Sequence, residues 1–372
     1  MDKNFKGQPN AEARMQGYLQ KIATGPTMSK DMTEAEAEDG LSLILNGEVS
    51  SIRSAVFLIA TRMKRETLAE NIGFWRALDR STIKRDVKLD QLLQIADPFD
   101  GFERTPYFGF YAIPVIAAMG LPTYGHSTLP LPPKFGITFG DILHNHYQVP
   151  VERPLEKSIQ LLEDFQFGYF NTTQTHPKLE NLRELRNEII KRTSLATFEK
   201  MLMPLIAASG GNYLATTYFH KGYEVPMIAV SERSGFDITV IGNGMEGTTL
   251  FGVHKPARIF IDAGESKPCE ISMTLEETFF KDTPQKIREA YEELKNRTPA
   301  LASLAAQGEA ALKSNQGPAA PLIACQAATL CYYLDLSPDP QTAFEEAEEL
   351  LKQGKCYENL MSYIERLQEV KT

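Results

Sequence analysis

Residues 94–106 read Gln94-Ile95-Ala96-Asp97-Pro98-Phe99-Asp100-Gly101-Phe102-Glu103-Arg104-Thr105-Pro106, followed by an apolar run over 107–119 and then Gly120-Leu121-Pro122. The stretch begins as a short strand, breaks at Asp97-Pro98 into a turn-rich loop, and continues as an apolar helix. A second short strand completes the order strand, loop, helix, strand, which is that of a βαβ unit and therefore of a parallel sheet. The proline-rich Leu129-Pro130-Leu131-Pro132-Pro133 beyond it is irregular, because proline lacks the N–H that a helix or inner strand needs.

On the N-terminal side the pattern is helical. Thr33-x-x-Glu36 is a capping box, in which hydroxyl and carboxylate each satisfy a free backbone N–H. It opens a helix through Leu41, Leu43, Ile44 and Leu45 that stops at Asn46-Gly47. A second helix runs from Ser50, with Ile52, Val56, Ile59 and Met63 at helical spacing. Thr67-x-x-Glu70 opens a third, through Ile72, Trp75 and Leu78. On the C-terminal side, residues 155–205 return to helical patterning, with Leu179, Leu182, Leu185 and Ile189 on one face. Strands are predicted at 237–241, 257–262 and about 270–273. Helices are predicted from Thr283-Pro284, within 298–317, and over 319–334 and 340–352, the last closed by Gly354. There is no internal repeat. The fold class is α/β: a small all-helical N-terminal domain and a larger α/β domain with a central, mostly parallel sheet.

A chain of 372 residues exceeds one small core and suits two domains. The net charge of -9 gives no global attraction for nucleic acid or anionic membranes, although a local basic groove is compatible with it. Cys269, Cys325, Cys331 and Cys356 form no CxxC pair, which argues against zinc and against a disulfide framework. The polar start Met1-Asp2-Lys3-Asn4-Phe5-Lys6 lacks the apolar stretch of a signal peptide. No window reaches the ~18 apolar residues of a membrane span. A cytoplasmic protein is the expectation.

The loop 97–105 leaves a strand and precedes a helix, which is where α/β sheets bind ligands. Asp100, Gly101, Arg104 and Thr105 are its candidate binding residues. A helix N-terminus there favours a phosphate, and Arg104 is placed to clamp one. The competing reading is a structural turn, with Asp100-Gly101 set by backbone geometry. His126 follows the second strand; a lone histidine is structural by default, and this position adds a functional reading. Lys134 begins Lys134-Phe135-Gly136-Ile137-Thr138, either a turn or a second anion contact. His144 and His146 would share a face only on a strand, and their setting is helical, so they are not a metal pair. Arg186 and Arg192, with Glu188 between them, are by default a solvated helix face. Glu246, in a glycine-rich loop after a strand, either holds Mg²⁺ or caps a turn. No catalytic residue is assigned.

In order, over nearly the whole chain, these pieces resemble the anthranilate phosphoribosyltransferases. Gly47-Glu48-Val49-Ser50 and the run from Phe57 through Arg62-Met63-Lys64-Arg65-Glu66-Thr67 are similar to that family's helical domain. Ala117-Ala118-Met119-Gly120-Leu121-Pro122 with His126 is similar to the segment leading to its Lys-His-Gly-Asn. His176-Pro177, Arg186-x-Glu188 and Arg192-Thr193 are similar to its His-Pro and Arg-x-x-Leu-Gly-x-Arg-Thr elements. The resemblance implies a helical domain over 1–88 with helices from about 155–205 packed on it, an α/β domain over 89–372, and a homodimer through the helical part. It implies transfer of phosphoribose from phosphoribosyl pyrophosphate to an aromatic amine in tryptophan biosynthesis, with Mg²⁺ on the pyrophosphate. It places His126 and Arg186 against the acceptor.

The departures gather at the anion site. The family's Gly-Thr-Gly-Gly-Asp-Gly is here Asp97-Pro98-Phe99-Asp100-Gly101, so proline and phenylalanine fill space that glycines leave for a pyrophosphate. The following Asn-x-Ser-Thr is absent. The Lys and last Asn of Lys-His-Gly-Asn are Gly125 and Thr128, and the Asp-Glu metal pair is Glu246-Gly247, with one carboxylate. The pattern resembles the divergent anthranilate phosphoribosyltransferase-like branch. Two functions are open. A transferase with a degenerate pyrophosphate site, the leading expectation, would use Arg104 and Thr105 for the lost cradle and Glu246 as metal carboxylate. A non-catalytic nucleotide- or nucleic-acid-binding protein would line its groove with Arg104, Lys134, Arg186 and Lys191. The acidic total charge counts against nucleic acid.

Overall fold

The computed structural model describes residues 10–25, 27–264 and 267–369; the polar residues 1–6 lie outside them. Among the described residues four helices make the N-terminal bundle, one more than the sequence pattern predicts. α1 (Ala11–Ile22), capped by Asn10, buries only Met15 and Ile22, too few to write an apolar stripe. α2 (Glu34–Leu45) and α4 (Leu68–Ser81) open on the two capping boxes read from the sequence. In each, the threonine hydroxyl accepts from the amide of the glutamate, whose carboxylate accepts from the threonine amide. α2 and α4 approach so closely that a Cβ on Gly73 would lie 2.3 Å from the Glu34 carbonyl oxygen.

α3 (Ser51–Lys64), capped by Ser50, turns its periodic stripe outward. Ile52, Val56 and Met63 are 74%, 43% and 78% exposed, while Ser54, Phe57, Leu58 and Thr61 are buried. Phe57 sets the rotation: its ring packs edge-on to Phe74 at 6.0 Å and over Gly40, where a Cβ would come within 2.6 Å of it.

β1 (Arg85–Val87) leads to β2 (Leu92–Ala96), α5 (Gly109–Ala118) and β3 (Thr123–Ser127), with β2 and β3 parallel, the βαβ unit of the opening stretch. α6 (Phe139–Asp141) runs into a π-helical turn at Ile142–His146. Then come α7 (Leu155–Phe165), β4 (Phe167–Asn171), α8 (Thr172–Thr175), α9 (Pro177–Glu180), α10 (Arg183–Ile189) and α11 (Leu195–Phe198). β5 (Leu205–Ala207), β6 (Asn212–Thr217), α12 (Glu224–Ser234), β7 (Ile238–Gly242), β8 (Ala257–Asp262) and β9 (Cys269–Met273) follow. The chain closes on α13 (Leu275–Thr278), α14 (Thr283–Leu294), α15 (Leu301–Ser314), α16 (Ala319–Tyr333), α17 (Pro340–Gln353) and α18 (Lys355–Gln368). The main sheet has the order β4-β3-β2-β6-β7-β8-β9 and is parallel from β4 to β7, with β8 and β9 antiparallel. β1 and β5 form a separate parallel pair.

The α/β class with a mostly parallel sheet, and β7, β8 and β9, agree with the sequence reading. That reading lacks β1, β4, β5, β6, α12 and α18. β4 is buried at every position and β6 at all but one, so neither shows the alternation that marks a half-exposed strand. Residues 155–205 are therefore not continuously helical. α9 to α11 do share a core with the bundle, through Leu179, Leu182, Leu195 and Phe198 against Leu41, Ile44, Trp75 and Leu78. α7 does not: its Leu155, Ile159 and Leu162 pack with Tyr124 and Phe170 on the sheet. One face of the sheet carries α5, α15, α16, α17 and α18, and the other carries α12 and the bundle side. No helix among the described residues is long and apolar enough to cross a membrane.

Candidate functional site

The chain runs from β2 outward to β3 and β4, then returns to β6 on the other side of β2. Parallel strands splay their connections apart at such a reversal and leave a crevice beyond their carboxyl ends. A cleft of about 760 Å³ occupies that place, between the sheet and α3. Among the described residues, seven lysines and arginines line it (Arg62, Arg104, Lys134, Arg186, Lys191, Arg192, Lys200) against four acids (Asp100, Glu103, Glu199, Glu246). On a chain of net charge -9 this is a local reversal of sign.

One wall is the loop after β2. Asp97 is half-buried and accepts from Tyr107 Oη and the Thr249 amide, both at 2.7 Å; desolvation raises its pKa to about 6. Phe99 is buried edge-on to His126 at 5.7 Å. Asp100 accepts from Arg192 Nε at 2.9 Å, with Lys134 Nζ at 3.9 Å. Gly101 has φ +74°, and a Cβ there would lie 2.4 Å from the Gly136 carbonyl, so the turn requires glycine. Lys134 Nζ donates to the Gly101 carbonyl at 2.7 Å, and burial lowers its pKa.

The next three amides converge. Those of Glu103, Arg104 and Thr105 donate to the Glu246 carboxylate at 3.1, 2.9 and 2.7 Å. Glu246 has φ 51°, a left-handed conformation that is costly for a residue with a Cβ. Its carboxylate fills the amide cradle that the sequence reading offered to a phosphate. Both oxygens are engaged by N–H groups, so the turn-capping reading of Glu246 describes this geometry and the Mg²⁺ reading does not fit it. No group of three or more His, Cys, Asp or Glu among the described residues is arranged to hold a metal ion.

The facing wall runs from α10 to the turn after α11. Arg186 donates to both Glu199 oxygens, at 2.6 and 2.9 Å; burial raises the Glu199 pKa against this pull. Arg186 is thus no solvated side chain. Ile190 ends α10 at φ 62° and delivers Lys191 and Arg192 to the cleft. Lys200 is buried and donates to the Thr217 carbonyl at 2.5 Å. Arg62 of α3 donates to Tyr223 Oη and stacks over that ring at 5.7 Å, bridging the bundle and the start of α12. The Phe219 ring, 56% exposed, lies beside His220 and completes an aromatic side.

Asp100, Arg104, Lys134, Arg186 and Glu246 therefore line one cleft, with the backbone of Gly101 and Thr105 behind it. His126 does not reach it. It lies within β3 rather than after it and is fully buried, with Nε2 2.9 Å from Thr175 Oγ1. Burial and His176 push its pKa down to about 3. Arg62, Lys200 and the Phe219 side were missed by the sequence reading. Lys200 sits in Phe198-Glu199-Lys200-Met201-Leu202, where a charged pair interrupting an apolar run was the available signal. His144 and His146 are helical, with His144 Nδ1 2.9 Å from the Val149 carbonyl.

Residues 16–82 match the family described as glycosyl transferase family, helical bundle domain. An uncharacterized protein of Aquifex aeolicus is 27% identical over 218 residues, spanning 59% of this chain and 64% of that one, just under two thirds of its length. The anthranilate phosphoribosyltransferase of Thermus thermophilus is 25% identical over 343 residues, 90% of this chain and 95% of the relative. Its crystal structure superposes with a TM-score of 0.74 at 23% identity, covering 95% of this chain and 99% of that one. The Saccharomyces cerevisiae enzyme in complex with PRPP and Mg gives 0.75 at 14% identity, covering 95% and 98%. The chain is thus similar to anthranilate phosphoribosyltransferases over most of its length and has their fold: a helical bundle and a larger α/β domain.

Proposed function

We propose that the cleft binds a nucleotide or single-stranded nucleic acid, held by its phosphates and bases, on a scaffold shared with the anthranilate phosphoribosyltransferases. The Glu246 carboxylate carries this reading. It fills the backbone cradle at 103–105, while Asp100 is tied to Arg192, so the amide nest and both of these carboxylates are already taken where a metal-bound pyrophosphate would need them. Open cations remain instead. Arg104 and Lys191 are exposed at the rim, Arg192 is exposed beside them although paired with Asp100, and Lys134 lies deeper, facing the Phe219, His220 and Tyr223 side. Cations interleaved with accessible rings suit phosphates and stacked bases.

A second reading, phosphoribosyl transfer to an aromatic acceptor, is favoured by the likeness to the Thermus thermophilus enzyme over 90% of the chain. Two titrations separate the readings: a labelled single-stranded oligonucleotide over a range of salt, and phosphoribosyl pyrophosphate with and without Mg²⁺. The logarithm of the oligonucleotide binding constant is expected to fall linearly with the logarithm of salt, as counterion release requires. Metal-dependent binding of phosphoribosyl pyrophosphate with no oligonucleotide binding would replace the first reading by the second.

The outward stripe of α3 supports a homodimer through the bundle, since exposed apolar side chains in a row on one helix suit a self-complementary contact. Sedimentation is expected to give a dimer for the wild type and a monomer for Ile52→Glu with Val56→Glu. A monomeric wild type removes the dimer.

A further inference from the structure

Lys200 differs from the other cations of the cleft. It is only 5% exposed, yet it lies at the cleft floor beside Thr217. An ammonium group has three N–H donors. Lys200 Nζ gives one to the Thr217 carbonyl and has no carboxylate within ion-pair distance among the described residues. The acids around it are engaged elsewhere: Asp97 by Tyr107 and Thr249, Glu199 by Arg186, and Asp100 by Arg192. Lys134 adds a like charge from the facing loop. A buried cation with one acceptor is costly unless something else completes its shell. The open side of that shell is the cleft.

We propose that Lys200 anchors a terminal oxyanion of the ligand, a phosphate monoester, at the cleft floor. This deepens the nucleotide-binding reading and rests on it. An internal phosphodiester continues as chain on both sides and stays with the rim cations, whereas a phosphate end descends to the floor. Burial draws the Lys200 ammonium down to about 8, against Asp97, Glu199 and Asp100, which raise it. Affinity for a monoester therefore falls as pH rises through about 8, while the rim arginines stay charged.

Pyridoxal 5′-phosphate is a suitable probe of the Lys200 amine, because its aldehyde reacts with a neutral lysine nitrogen, a reaction that a phosphate monoester already seated on Lys200 blocks. The neutral lysine nitrogen attacks the aldehyde carbon, and the carbonyl oxygen leaves as water with the two amine hydrogens. Borohydride then reduces the imine to a secondary amine that is located by peptide mass mapping. On the wild-type protein we expect Lys200 to be labelled, with a pH midpoint near 8. Protection is expected from adenosine 5′-monophosphate and from a 5′-phosphorylated oligonucleotide, not from adenosine or an oligonucleotide with a 5′-hydroxyl. Protection by the mononucleotide alone would assign the site to free nucleotides, and by the strand as well to nucleic-acid ends. Lys200→Met is expected to weaken adenosine 5′-monophosphate binding at least about tenfold, the loss of one charge-assisted bond, and to leave the 5′-hydroxyl oligonucleotide unaffected. Labelling of Lys134 and Lys191 but not Lys200, or equal protection by adenosine and its monophosphate, would overturn the proposal. If oligonucleotide binds the wild type and Lys200→Met binds the mononucleotide equally well, the anchor fails and the nucleotide reading stands. If no oligonucleotide binds but inorganic phosphate protects Lys200, the anchor stands and the nucleic-acid reading fails.

Discussion

The two walls of the cleft are made from the same kinds of residue and end in different states. On the loop wall, the amides of Glu103, Arg104 and Thr105 meet the chain's own Glu246, and Asp100 meets Arg192. On the facing wall, Arg186 is committed to Glu199, but Lys191 is exposed at the rim and Lys200 has one acceptor for three donors. A charged residue in a cleft is therefore not by itself a ligand contact. What matters is whether the fold has already supplied its partner, because a satisfied group gains little by exchanging one partner for another.

The largest expected effect tests the committed pair. Arg186→Ala leaves the Glu199 carboxylate buried and unpaired, and should cost about 3–5 kcal/mol in urea unfolding. Arg186→Met with Glu199→Met should recover most of it. A single-variant loss below about 1 kcal/mol would mean that Arg186 is as free as the rim cations.

Next comes the filled cradle. Glu246→Ala unpairs three amides and should cost about 1–3 kcal/mol, while Glu246→Gln, which keeps an acceptor, should cost less. The Ala variant should also gain more stability from added inorganic phosphate than the wild type does. No such gain would mean that the amides do not form a usable anion site once vacated.

A smaller effect lies behind the same wall, at His126. Its folded pKa of about 3 lies below the usual 6.5, so between these values the unfolded chain binds more protons. Its contribution to stability is full above 6.5 and is lost as pH falls toward 3. Asp97 has the opposite sign: raised to about 6 from 3.8, it makes the fold lose stability as pH rises through that window. The difference between wild type and His126→Gln isolates the histidine, and should shrink by about 1 kcal/mol from pH 6 to pH 5. A difference independent of pH would place His126 in contact with solvent.

The smallest stability effect is expected at the open rim. Arg104→Ala should change stability by less than about 0.5 kcal/mol. It should lower oligonucleotide affinity and reduce the salt slope by about 1. An unchanged slope would remove Arg104 from the phosphate contacts.

The capping boxes at Thr33 and Thr67, the glycine turn at Gly101 and the βαβ unit around residues 94–127 were all legible in the sequence, because each is decided by residues a few positions apart. The cleft's place beyond β2 was legible for the same reason. The direction of the α3 stripe was not, because Phe57 and Gly40 on another helix set its rotation. Nor were β4 and β6, which are buried on both faces and carry no alternation.

By itself, then, the sequence determined the class of fold, the helix starts at Thr33 and Thr67, the position of the crevice beyond β2 and part of the set of charged residues that line it. Tertiary structure alone decided which of those charges are satisfied. Glu246 reaches amides more than 140 positions away, and Arg192 reaches Asp100 across 92. Local propensity acts over a few residues, whereas charges and hydrogen-bonding groups find partners wherever folding brings them within about 3 Å.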